Sequence, residues 1–196
     1  MPARKRPTMS LIERYHKALQ QPDMVHDDAQ EIAVSKLEAL GRALTDATVN
    51  VTGNSYIRAL KRFFSLQQQS TPAIKGLYLW GGVGRGKSWL MNLFFDELNI
   101  TQKKRIHFHH FMLDIHAQLD EFNKSKRSRK KDPLKQIAKN LATEYRLLCI
   151  DEFIVTNITD AMILSELLHA LFEHNVCLVA TSNRIPDDLY LNGLQR

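Results

Sequence analysis

A chain of 196 residues, 44% apolar and 24% charged, suffices for one α/β core with a short appendage and has an ordinary globular balance. No apolar run reaches the length of a membrane span, and no hydrophobic stretch follows Arg4, Lys5 and Arg6, which speaks against a membrane-spanning chain and against secretion. The formal net charge of +6 is local: Lys124, Lys126, Arg127, Arg129, Lys130 and Lys131 carry six positive charges with no acid among them, so the rest of the chain is neutral.

A mitochondrial presequence fits poorly, because the basic stretch is very short and Glu13 arrives early. Residues 1–70 read as a helical N-terminal segment that packs on the core and offers a surface to a partner. Asp28-Ala29-Gln30-Glu31 has the form of a capping box with Asp28 as the cap, followed by Ala33, Leu37, Leu40 and Leu44 at helical spacing. Residues 50–54 with Gly53 read as a turn. Residues 56–69 resume a helix, with Ile57, Leu60 and Phe64 on one side, and Pro72 ends it.

From residue 75 strands and helices alternate. Strand 76–80 leads through a glycine-rich loop to a helix with Leu90, Phe94 and Leu98 on one face. Strand 105–111 precedes helix 112–122, then the basic loop 124–131 and helix 133–144. Strand 146–151 precedes helix 160–173, and strand 176–181 leads to Asn183. This order predicts an α/β fold with a parallel sheet covered on both faces, in residues 71–196. Strands 146–151 and 176–181 are apolar almost throughout, as central strands buried on both sides must be. Cys149 and Cys177 lie in them and read as buried, reduced thiols rather than a disulfide or a metal site.

Gly81-Gly82-Val83-Gly84-Arg85-Gly86-Lys87-Ser88 fits G-x-x-x-x-G-K-S, with a strand before it and an amphipathic stretch after it. Backbone N–H groups in such a turn face anionic oxygens without Cβ interference, and the following helix aims its positive end at them. Lys87 is expected to reach the β- and γ-phosphates and Ser88 to hold Mg²⁺, with the cradle extending through Trp89. The ligand expected is a nucleoside triphosphate.

Asp151 and Glu152 close a buried strand at the edge of the sheet where open α/β folds bind ligands. Asp151 is expected to complete the Mg²⁺ shell that Ser88 begins. Glu152 points differently, because side chains alternate along a strand, and suits a group that orients the attacking water. Thr181-Ser182-Asn183 either touches the γ-phosphate or simply ends its strand before Pro186; the spacing leaves both open. The basic loop reads as a solvated surface, and the absence of interleaved aromatics argues against base stacking. His107 and His109 would share one face of strand 105–111; with no third ligand at suitable spacing they read as core histidines rather than half a zinc site. His109 is the candidate to hydrogen-bond near Glu152.

These strings resemble the AAA+ ATPase superfamily, and within it the ZapE cell-division ATPases and their mitochondrial AFG-one-like relatives. The similarity rests on residues 77–88, on Arg105 to Met112, on Cys149 to Phe153 with Asp160 to Leu164, and on Ala180 to Arg184 with Asp187 to Arg196. It implies a three-layer αβα P-loop NTPase of sheet order 5-1-4-3-2. It also implies ATP and Mg²⁺ as ligands, Asp151 as the Walker B acid, Glu152 as the catalytic glutamate and Asn183 as sensor 1. The implied activity is ATP hydrolysis by a homo-oligomeric ring with its site between subunits. The implied setting is the bacterial cytoplasm at the division site, beside the tubulin-like protein FtsZ, with no direct membrane anchor. Ile154 and Asn157 depart from the family's Gln and Asp.

Residue 196 falls before the family's fifth strand and helical lid, so strand 76–80 is expected to be an exposed edge. The arginine finger is expected beyond Arg196. Such a group contributes about 10³–10⁵ to turnover, so feeble turnover is expected of the 196 residues alone. The alternatives are a DNA-binding ATPase of the helicase-loader type, which the basic loop favours, and a nucleotide-binding module with little turnover.

Overall fold

A computed structural model describes residues 9–22, 24–52, 74–124 and 132–189. Four strands form one parallel sheet: β1 (Leu77–Trp80), β2 (Lys103–His107), β3 (Leu147–Asp151) and β4 (Cys177–Ser182), in the order β1-β4-β3-β2. The order matches the 1-4-3-2 part of the AAA+ sheet, and β1 is an edge of these four strands.

Alternation along the central strands divides the core in two. Leu147 and Cys149 of β3, with Cys177 and Val179 of β4, face α1 (Leu11–Ala18), α2 (Asp28–Thr52) and α3 (Lys87–Glu97). Leu148, Ile150 and Ala180 face the other way, onto α4 (Phe108–Lys124), α5 (Pro133–Glu144) and α6 (Ile158–Glu173). Both faces are therefore covered, and β3 is buried at all five positions. The result is the expected three-layer arrangement.

The N-terminal helices belong to one of these layers. Ser10 and Glu13 form a reciprocal capping box that starts α1, and Tyr15 is fully buried. Val34, Leu37, Leu40 and Leu44 of α2 lie on one stripe against α3, where Gly41 allows the Phe94 ring to approach closely.

Three sequence expectations are corrected. The cap of α2 is Asp27, whose carboxylate accepts the Ala29 N–H, while Asp28 is already helical and Glu31 turns to two histidines. The turn expected at 50–54 does not begin at residue 50, because α2 continues to Thr52. Strand 105–111 ends at His107, and α4 starts at Phe108. Phe108, Phe111, Met112 and Ile115 are spaced at helical intervals and all buried, so burial of that stripe outweighs the strand preference of aromatic residues. His109 is consequently helical, and the shared strand face with His107 does not exist. The helix expected at 56–69 and nearly all of the basic loop lie outside the described residues, as do residues 190–196.

Candidate functional site

β1 delivers the chain to the phosphate loop at the carboxyl edge of the sheet. Gly84 and Gly86 take φ of +79° and +72°, a region that residues with a Cβ enter only with strain. Gly86 caps α3 without a side-chain hydrogen bond, which leaves the first N–H groups of the helix for an anion. Lys87, the first residue of α3, folds back across the loop. Its ammonium donates to the carbonyls of Gly81 (2.8 Å) and Gly82 (2.7 Å) and to Oδ1 of Asn183 (2.9 Å). Burial first, and the Arg85 charge second, lower its pKa from the ordinary lysine value. Both causes disfavour the cation, and a phosphate beside it would oppose them.

Val83 and Ser88 are exposed, and Trp89 is half-buried 6.1 Å from the Tyr15 ring. The loop is also held from behind. Arg85 pairs with Asp27 at 2.6 Å, and Gln30 donates to the Arg85 carbonyl at 3.0 Å. A cleft of about 720 Å³ opens here, between residues 24–28 and the loop, with Trp89 in its wall.

At the end of β3, Asp151 is 1% exposed. Arg105 donates to its Oδ2 from Nε (2.7 Å), a terminal guanidinium nitrogen lies in ion-pair contact with the same oxygen at 2.6 Å, and the Thr181 hydroxyl donates to Oδ1 at 3.2 Å. The same hydroxyl accepts the Glu152 N–H at 3.2 Å. Thr181 thus joins the two acidic residues. Glu152 has a left-handed backbone, φ +54°, and its side chain is mostly exposed. His107 Nδ1 stands 3.9 Å from its carboxylate, so the imidazole beside Glu152 is His107 rather than the expected His109.

Asn183 follows β4 and reaches Lys87, while the chain turns at Pro186–Asp188 just beyond it. The segment therefore ends its strand as one of the two expectations had it, and it also brings Asn183 to the Lys87 ammonium. Ser88 and Asp151 supply a hydroxyl and a carboxylate, the oxygen chemistry that Mg²⁺ takes. Asp151 already accepts two hydrogen bonds and pairs with the Arg105 guanidinium, and a buried carboxylate so engaged suits an ion that keeps its own water shell. Arg105 is the site residue that sequence reasoning missed, and Thr181, expected at the γ-phosphate or at a plain strand end, instead joins Asp151 to Glu152. For Arg105, a charged residue inside a covered strand was the available signal.

A sequence model of the AFG1-like ATPase family matches residues 9–196. Cell division protein ZapE of Escherichia coli (strain K12) is 44% identical over 185 residues, covering 93% of this chain and 48% of that protein. Lactation elevated protein 1 homolog B of Danio rerio is 45% identical over 128 residues, 62% of this chain and 25% of that protein. The chain thus spans about half the length of the bacterial relative or less of the other. Among solved structures, AMPPCP-bound DnaA from Aquifex aeolicus superposes with a TM-score of 0.50 at 15% identity, over 85% of this chain and 42% of that one, a likeness of fold.

Proposed function

The chain belongs to the AFG1-like ATPase family, and we propose that it binds Mg-ATP at residues 81–89 and hydrolyses it. The observation that carries this is the Lys87 ammonium, held between two loop carbonyls and Asn183. A cation restrained by three neutral acceptors, at a helix start with free N–H groups, is arranged for an anion. Lys87 exchanges these acceptors for the β- and γ-phosphate oxygens. The loop N–H groups and the start of α3 cradle the same phosphates, and the adjoining cleft has room for the nucleoside.

Ser88 and Asp151 would hold Mg²⁺, which neutralises charge on the phosphates when bound. Glu152, exposed at the strand end, orients the attacking water and takes up its proton. Asn183, already joined to Lys87, positions the γ-phosphate side of the site. Arg105 and Thr181 hold Asp151 in place while Glu152 stays free to act.

The 71–196 unit is the proposed catalytic core and the first 70 residues a partner-binding segment. The proposed setting is the bacterial cytoplasm at the division site, with FtsZ as partner and a homo-oligomeric ring as the working form. The similarity to Cell division protein ZapE supports the division role. No helix among the described residues is long and apolar enough to cross a membrane.

The test is nucleotide binding and Mg-ATP hydrolysis by the parent, Lys87→Ala and Glu152→Gln. The expected pattern is binding lost in Lys87→Ala, and binding kept with turnover lost in Glu152→Gln. Full turnover in Glu152→Gln would remove Glu152 from its role, and unchanged binding in Lys87→Ala would overturn the site.

A further inference from the structure

A second group of metal-ligating side chains meets where α1 gives way to α2, away from Ser88 and Asp151. His16 lies in the last turn of α1, His26 lies in the linker, and Asp28 and Glu31 occupy the first turn of α2. One ligand atom from each of His26, Asp28 and Glu31 falls within 4.8 Å of the others. His26 Nε2 is 3.0 Å from Glu31 Oε2, and its Nδ1 is 3.5 Å from Asp28 Oδ1. His16 Nε2 stands 3.5 Å from the other Glu31 oxygen. Among the described residues, no lysine or arginine pairs with Asp28 or Glu31; their ion-pair partners are these imidazoles.

We propose that His26 and Glu31, flanked by Asp28 and His16, form a binding site for a divalent transition-metal ion of the Zn²⁺ class. The donor set selects the class. Imidazole nitrogen with carboxylate oxygen suits Zn²⁺ and its neighbours, whereas Mg²⁺ and Ca²⁺ take oxygen ligands. The spacing agrees: a tetrahedral ion with bonds of about 2.0–2.1 Å holds its ligand atoms about 3.4 Å apart. The His26 Nε2–Glu31 Oε2 contact, 3.0 Å, is the one between two atoms that can bind a single ion and lies near that separation, while the two 3.5 Å contacts use the other ring nitrogen of His26 and the other oxygen of Glu31. Wider gaps in the cluster close by rotation of side chains that are all exposed.

His26 offers one ring nitrogen toward each carboxylate. An ion on Nε2 beside Glu31 leaves the Nδ1–H for Asp28, and a carboxylate behind a ligating imidazole fixes its tautomer and orientation. The ligands come from α1, the linker and α2, so an ion would tie three segments together. Asp27, between two of the four groups in sequence, is the residue that holds Arg85 of the phosphate loop. The site therefore adjoins the nucleotide cleft without sharing its proposed Mg²⁺ ligands.

The test is a Co²⁺ titration of the metal-free, untagged chain without nucleotide, read from the visible absorption of Co²⁺ in a nitrogen–oxygen site. The expected result is a band that saturates at one equivalent and is displaced by Zn²⁺ but not by millimolar Mg²⁺. His26→Ala and Glu31→Gln are each expected to weaken binding at least about tenfold, and His16→Ala less, with Ser88→Ala unchanged. These positions are exposed, and unchanged melting curves would show that the variants fold. No band, a band that survives both His26→Ala and Glu31→Gln, or one lost in Ser88→Ala would each overturn the proposal.

Discussion

Arg105 and Asp151 are joined diagonally across neighbouring strands, with two guanidinium nitrogens within 2.7 Å of one carboxylate oxygen. Arg105 lies opposite Cys149 in the register of β2 and β3, and Asp151 is two residues further along the same face. The arginine also bonds Asn92 of α3, so one side chain spans from Asp151 to the helix that follows the glycine-rich loop. Truncation of one partner in such a pair leaves a buried charge uncompensated. Arg105→Met is expected to cost about 2–4 kcal/mol, measured by urea unfolding. Adding Asp151→Asn should recover part of that loss, and strict additivity of the two changes would refute the coupling.

Thr181 donates to Asp151 and accepts from the Glu152 N–H, and both contacts disappear in Thr181→Val at nearly constant volume. The expected cost is about 1–3 kcal/mol for the polar groups left without partners. Glu152 also loses the contact that helps to hold its left-handed backbone, so turnover should fall more than nucleotide affinity. A thermal melt and steady-state ATPase kinetics on one preparation separate the two effects; equal falls in both functional readouts would count against this role.

Asn183→Ala removes one of the three acceptors around the Lys87 ammonium and leaves the two loop carbonyls. Nucleotide affinity is expected to change by less than about tenfold, since one hydrogen bond to a charged group contributes about 1.5 kcal/mol or more only when no other acceptor replaces it. Turnover should drop further than affinity. Titration with a fluorescent ATP analogue beside single-turnover hydrolysis measures both, and a larger loss in affinity than in turnover would assign Asn183 to binding alone.

Burial pushes the thiols of Cys149 and Cys177 up to about 12. The folded state therefore holds these protons where the unfolded chain, near the ordinary cysteine value of about 8.5, has released them. Stability from this source is complete below about pH 8.5 and declines as pH rises toward 12. Both cysteines should resist alkylation at pH 8 until denaturant is added, measured by mass spectrometry after iodoacetamide treatment. Rapid native labelling would contradict their burial between the helical layers.

The alternation of strands and helices was legible because it is written in local periodicity, as were the loop at residues 81–88 and the acidic pair at the end of a strand. Apolar runs such as 147–150 announce strands covered on both sides, and glycines before Lys87-Ser88 announce a turn onto a helix. Local pattern failed where burial outweighed propensity, at Phe108–Phe111, and where two adjacent aspartates competed for one cap at residues 27 and 28. It was also silent on pairings set by strand register. Nothing near Arg105 in the chain points to Asp151, and nothing near Lys87 points to Asn183, 96 residues away. The sequence by itself determined the layers and the phosphate loop, because those depend on contacts between near neighbours and on the sorting of apolar from polar surface. Only the tertiary structure decided which side chains complete the site, because the parallel sheet brings the ends of β2, β3 and β4 to one edge and its register selects the residues that meet there.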